Sequence, residues 1–286
     1  MPELPEVENI AAGLRKAIEG ESLARVEMRR PGIINGPHQR RWRRFLEQVA
    51  GRRIACVTRR AKRLIITTDN DLTLLFQLGM TGKFLLGTAP VEADESTKHT
   101  HAILYLRDGR VVRFIDARRF GRLWLLEGLD PEKPDEAMRA AGLGPLGPEA
   151  LAMGVVAFRH LLETERSIKT LLLDQTRIAG LGNIYTDEAL FAAGIHPTRR
   201  CHTIGAEASQ DLLRAIKSVL RRAIRAGGTT FSDYRSPYGD MGRFRRRLRV
   251  YGRQGAPCRT CGATIEKIVV AGRGTHFCPA CQPLKP

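Results

Sequence analysis

The residues best suited to chemistry lie at the two ends of the chain. Near the C-terminus, Cys258-Arg-Thr-Cys261 is followed, after sixteen intervening residues, by Cys278-Pro-Ala-Cys281. Two Cys-x-x-Cys pairs at this separation present four thiolates to one tetrahedral Zn²⁺. Four thiolates are tolerable neighbours only around a cation, so metal binding and folding of this piece should be coupled. The apolar stretches between the pairs fit a small hairpin. Arg273 stands between two glycines at its expected tip. There it is either a close-approaching phosphate ligand or a plain surface arginine. Cys56 and Cys201 are isolated and read as packing residues.

The other end begins MPELPEVENI. Two readings are open. Proline and glutamate both suit the first turn of a helix. Alternatively the terminus is itself a reagent, because loss of Met1 would leave Pro2 as a secondary amine. Glu3 and Glu6 would then stand beside it as carboxylates.

These residues need elements to hold them. The chain has 286 residues and is 43% hydrophobic, enough for two domains or one large one. A formal charge of +17 points to a polyanionic partner such as DNA or RNA. No apolar run approaches the ~20 residues of a membrane span. The N-terminus also lacks the pattern of a signal peptide. An intracellular, cytoplasmic protein is expected, nucleoid-associated and without a disulfide framework.

From Pro5 to Glu19 the apolar residues Val7, Ile10, Leu14 and Ile18 form one stripe, an amphipathic helix ended by Gly20. Short apolar runs follow: RIACV, LIITT, LTLLF, AILYLR, RVVRFI and RLWLL, with Asp108-Gly109 as a hairpin turn. They predict an antiparallel β-sandwich with the first helix against one edge. The Gly/Pro-rich stretch 128–149 reads as a linker. Helical patterns then appear at FRHLLETE, SIKTLLLDQ, NIYTDEALFAAGI and Ala206–Ala226, the last capped by Gly227-Gly228. Residues 229–248 read as a long loop. The fold class is therefore α+β multidomain: an N-terminal helix with a β-sandwich, a helical domain and a zinc ribbon.

PELPEVE, RRAKR, LGMTG, DARRFG, AGLGNIYTDEALFAAGIHP, GGTT, VYGRQG and the four-cysteine ribbon occur in that order. Together they resemble the formamidopyrimidine-DNA glycosylases, bifunctional enzymes that remove oxidised purines. The resemblance covers essentially the whole chain. It implies a catalytic domain at 1–127, a helix–two-turns–helix domain at 150–228, a lesion-capping loop at 229–248 and a ribbon at 249–286. It further implies a monomer acting on double-stranded DNA that contains oxidised bases or abasic sites.

Base removal with strand cleavage passes through an oxocarbenium-like state and an imine with the sugar. The resemblance assigns Pro2 the imine and Glu3 the proton transfers. Glu6 orients the terminus or only favours the helix dipole. Lys62, before a strand, and Arg273 would bind the phosphate beside the lesion. Met80, Arg118 and Phe120 would fill the hole left by the flipped base. Read without the resemblance, Met80 and Phe120 are core residues by type, although Gly79, Gly82 and Gly121 argue for loop tips. Asn183, as N-cap of its helix, is expected at a phosphate. His99, Lys169 and Gln77 are further expected DNA contacts. Thr229, Thr230, Phe231, Ser232, Asp233 and Tyr234 match the capping loop, which would test purine N7 with a backbone carbonyl.

Two places depart from the family pattern: Gln77, where a histidine is common, and RSPYGDMG after Tyr234. The competing readings are an endonuclease VIII-type enzyme for oxidised pyrimidines and a non-catalytic zinc-ribbon DNA-binding protein.

Overall fold

The computed structural model describes residues 2–91, 95–130 and 133–284. They form two compact units. One runs to Pro145 and takes back Ala226–Arg243; the other comprises Leu146–Arg225 and Phe244 onward.

The first unit opens with α1 (Leu4–Ile18), whose buried Val7, Ile10, Ala11, Leu14 and Ile18 are the stripe the periodicity predicts. Gly20, at φ +86°, turns the chain out of it. Among the described residues nine strands follow, in chain order: β1 (Leu23–Met28), β2 (Ile34–Asn35), β3 (Ile54–Arg60), β4 (Arg63–Thr68), β5 (Thr73–Gln77), β6 (Lys83–Thr88), β7 (Thr100–Leu106), β8 (Arg110–Ile115) and β9 (Arg122–Leu126). They make a four-stranded sheet ordered β1-β7-β8-β6 and a five-stranded sheet ordered β2-β9-β5-β4-β3. All pairs are antiparallel except the short parallel pair β2–β9. Phe76 of one sheet meets Phe84 and Phe114 of the other at ring-centroid distances of 5.0 and 5.3 Å, so the sheets share one core. The first helix packs on β3, the edge strand, as expected. A second helix, α2 (Trp42–Val49), lies between β2 and β3 in the chain, and its buried side is Phe45, Leu46 and Val49.

The stretch 128–149 is more than a linker. It carries α3 (Pro134–Ala140), and Asp135 there pairs with the buried Arg60 at 2.7 Å. Met138 accepts a hydrogen bond from Arg63 through sulfur at 3.3 Å. Gly and Pro signalled a turn-rich path but not these anchors.

The second unit contains α4 (Val155–Leu161), α5 (Ile168–Leu173), α6 (Asn183–Ala192) and α7 (Ala206–Arg225). Its C-terminal part is the hairpin β10 (Glu266–Val270) and β11 (Arg273–Phe277). Seven consecutive residues of α6, Tyr185 to Phe191, are buried. No helix among the described residues is long and apolar enough to cross a membrane.

Candidate active site

Pro2 is buried ahead of α1. Glu3 is the N-cap and Glu6 the third helical residue, and the two form a reciprocal capping box. Glu6 Oε2 accepts from the Glu3 amide at 2.9 Å. Its other oxygen, Oε1, accepts from the Thr229 amide at 2.7 Å. Both carboxylates are nearly enclosed, with exposures of 3% for Glu3 and 2% for Glu6. Glu6 therefore does more than favour a helix dipole: it joins the terminus to the base of the segment expected to cap the lesion. Gly228 makes this possible. It adopts φ +82°, and a Cβ there would come within 3.0 Å of Glu6 Oε1 and of Tyr234 Cε1. Burial, reinforced by the negative Glu6, pushes the Tyr234 phenol well above its ordinary range. Met1 lies outside the described residues.

Lys62 is half-buried in the two-residue turn between β3 and β4, closed by the pair Arg60–Arg63. Ala61, beside it, takes φ +53°. Arg59 ties this hairpin to α1 through Glu8 at 2.8 Å and donates to the Ala61 carbonyl at 2.9 Å. The lysine is thus carried by a fastened turn on the same framework as Pro2.

Met80 and Phe120 are 43% and 49% exposed, so they are loop tips and not core. A Cβ on Gly79 would lie 2.7 Å from the Gly121 nitrogen, which shows how closely the two loops approach. Asp116, which sequence reading passed over, holds them. It accepts from the Thr81 hydroxyl and from the Gly121 amide, the latter at 2.6 Å. The Arg118 amide donates to Thr81 Oγ1 at 3.1 Å. Arg118 itself is exposed, its guanidinium 5.0 Å from the Phe120 ring centroid. The signal was an aspartate heading an arginine-rich turn that ends in glycine (DARRFG). His99 is half-buried next to this loop, and its carbonyl accepts from the Asp116 amide at 2.9 Å. Gln77 ends β5, in register between Arg63 and Arg122.

In the segment expected to cap the lesion, Thr229, Thr230 and Tyr234 are buried, while Phe231, Ser232 and Asp233 are exposed.

The second unit corrects two expectations. Lys169 is 0% exposed, and its Nζ donates to Asp187 Oδ1 at 2.5 Å. It cannot reach a DNA phosphate from there. Asn183 is not the N-cap of α6, which is Gly182; it is the first helical residue. Its side-chain amide donates to the Gly274 carbonyl at 2.8 Å. Both residues therefore grip the ribbon hairpin. Asp187 completes the grip, because Oδ2 accepts from the His276 amide at 2.8 Å. Glu188, next in the helix, accepts from the amides of Arg249, Val250 and Tyr251 at 2.9–3.0 Å. Burial raises its pKa against those hydrogen bonds. The sequence did carry a signal: the polar residues of α6 do not gather on one face, so Asp187 and Glu188 lie among apolar neighbours around the helix.

Asp187→Ala would strand a buried ammonium and should destabilise this unit by about 3–5 kcal/mol. The double change Lys169→Met/Asp187→Leu should recover only part of that loss, because the buried His276 amide still lacks its acceptor. Denaturant melts of the three proteins check both statements.

Arg273 is exposed and opens β11, directly after the turn Ala271-Gly272 at φ +50° and +69°. Below it the four cysteine sulfurs all lie within 4.8 Å of one another. Cys258 and Cys281 are 3.9 Å apart, and Cys261 and Cys278 3.5 Å. A Zn–S distance of about 2.3 Å requires sulfur separations of about 3.8 Å in a tetrahedron, so the set fits zinc. Although burial opposes ionisation, amide hydrogen bonds from Thr260 and Cys261 draw the Cys258 thiol down. Burial and the neighbouring sulfurs push Cys281 and Cys278 up. A cation is what lets all four ionise together.

The chain thus combines a sandwich unit whose first helix presents a capped, enclosed terminus with a helical unit ending in a four-cysteine hairpin. Residues 1–123 match the family model of the formamidopyrimidine-DNA glycosylase N-terminal domain, and 144–235 that of its H2TH domain. Residues 255–284 match the zinc finger found in FPG and IleRS. The chain is 43% identical over 289 residues to the formamidopyrimidine-DNA glycosylase of Heliobacterium modesticaldum, covering 99% of this chain and 100% of the relative. A Lactococcus lactis Fpg complexed with abasic-site DNA superposes with TM-score 0.87 at 33% identity, covering 99% of this chain and 100% of that one. The Lactococcus lactis FPG (MutM) complex with Fapy-dG DNA gives TM-score 0.85 at 33% identity, covering 98% and 100%. The chain belongs to the formamidopyrimidine-DNA glycosylase family, and its cysteine cluster is that family's single structural zinc site.

Proposed function

We propose that this protein is a bifunctional DNA glycosylase and abasic-site lyase of base excision repair. It excises oxidised purines, 8-oxoguanine and formamidopyrimidines, from duplex DNA. The observation that carries the reading is the enclosed head of α1, where Glu3 and Glu6 cap the helix behind Pro2 and Glu6 also engages Thr229.

The damaged nucleotide leaves the stack, and Met80, Arg118 and Phe120 occupy the gap. After loss of Met1, the Pro2 nitrogen attacks C1′ of the sugar as the base departs. A secondary amine gives an iminium that is always cationic, so it serves as an electron sink for elimination. Glu3 delivers and removes the protons, at the ring oxygen and then along the sugar. Successive β- and δ-eliminations break the two flanking phosphodiester bonds. Lys62 and Arg273 bind the phosphate backbone. The first-turn amides of α6 and the side chain of His99 make further contacts, as does Gln77. Lys169 and Asn183 act indirectly, by holding the ribbon hairpin that bears Arg273. Residues 229–234 cover the lesion. The protein works as a monomer in the cytoplasm, on the nucleoid. In domain terms, residues 1–127 carry the chemistry, and 150–228 with 249–286 grip the DNA.

Borohydride added with an 8-oxoguanine duplex should trap a covalent adduct, and Pro2→Gly should lose it. Folded, zinc-loaded protein that yields no adduct would sink the proposal. Intact mass shows in the same sample whether Met1 has been removed.

A further inference from the structure

The segment after Tyr234, where the sequence departs from the family pattern, is firmly docked. Pro237 is buried, and its carbonyl accepts from the Leu86 amide of β6 at 2.8 Å. Its ring rests on α1 at Gly13. A Cβ there would lie 3.0 Å from Pro237 Cγ, 3.1 Å from Cδ and 3.6 Å from Tyr238 Cε2. Glycine inside a helix is otherwise unfavourable, and this close approach accounts for it. A compact turn supports the proline: the Ser236 amide donates to the Asp240 carbonyl at 2.9 Å, and Ser236 Oγ accepts from the Asp240 amide at 3.1 Å.

At its near end the loop is held by the Glu6–Thr229 bond. Thr230 Oγ1 adds a second hold, accepting from the Gly242 amide at 2.8 Å and donating to the Tyr234 carbonyl at 3.0 Å. The exposed residues Phe231, Ser232 and Asp233 thus hang between two fastened ends.

We infer that Gly13 and Pro237 are specificity-determining positioning residues, which fasten the far end of the lesion-covering loop to α1 and β6 and keep it ordered before a base arrives. The inference rests on the proposed glycosylase activity. Excision then draws on a population already competent to cover a base, whereas elimination at a preformed abasic site has no base to cover and does not depend on the fastening.

Two variants test it in the full-length, zinc-loaded protein. Gly13→Gln keeps a good helix former but sets a side chain where Pro237 rests, and Pro237→Ala removes the ring. Both should raise amide hydrogen exchange across 231–236, and both should lower single-turnover excision of 8-oxoguanine by about three- to tenfold as the competent fraction falls. Gly13→Gln should still cleave a preformed abasic site within about twofold of the parent rate. Parental exchange and excision in both variants would overturn the inference, as would an equal loss on the abasic substrate. Failure of the glycosylase reading looks different: the parent itself would excise nothing, and the exchange data would still decide whether the fastening exists.

Discussion

Glu3→Gln should lower single-turnover excision of 8-oxoguanine by about 10²–10⁴-fold, the usual worth of a positioned proton donor and acceptor. The melting midpoint should hardly move. Glu3 is the N-cap of α1 and only 3% exposed, so a structural duty would stand beside the chemical one proposed for it. Glutamine preserves the first. It keeps an oxygen for the helix amides and its backbone N–H still reaches Glu6. It loses the second, because an amide neither donates a carboxylic proton nor takes one up. Rapid-quench excision assays beside a thermal melt separate the two. A large drop in stability with an unchanged rate would assign Glu3 to the helix alone.

Cys258→Ser should abolish zinc binding and unfold the ribbon. In isolated zinc domains coordination supplies about 10–16 kcal/mol of apparent folding energy, more than a hairpin this small obtains from packing. Cys258 and Cys278 also belong to the apolar cluster around Phe191, Val250 and Ile265, so an opened ribbon exposes the side of α6. Arg273 would lose its rigid mount along with it. Metal content should fall from one zinc per chain to none, and affinity for duplex DNA should fall with it at any fixed salt concentration. Chelator treatment of the parent should reproduce both changes, and zinc should reverse them. Full duplex affinity in a zinc-free chain would show that the ribbon is not part of the DNA grip.

What the sequence makes legible follows from how local each signal is. The four cysteines are readable because their spacing is itself the geometry. The first helix and the β7–β8 hairpin are readable because an apolar stripe and an Asp-Gly turn act within a few residues. The parallel strand β2 is two residues long and exists only because β9 lies beside it. Strand β1 buries little beyond Leu23; its polar side is organised by Glu27 meeting Arg29 and Tyr105, contacts that have no periodicity. The site divides in the same way. Pro2, Glu3 and Arg273 stand out by type and place. Asp116 and Asp187 resemble surface charges until the amides they accept from are seen. Lys169, a solvent-facing cation by its residue type, is buried because Asp187 sits in a helix with no polar face.

The bond from the Thr229 amide to Glu6 spans 223 residues of sequence. On the ribosome this sets an order of events. The sandwich strands and α1 are all made long before Thr229 is synthesised, yet Glu6 lacks this partner until then, and long-separation contacts of this kind form late. A chain arrested partway can therefore hold a packed sandwich and a proline at its head without a completed site. A fragment that stops short of Thr229 lacks the amide that meets Glu6 Oε1 in the finished chain, so the helix head reaches its final arrangement only after most of the protein has been made.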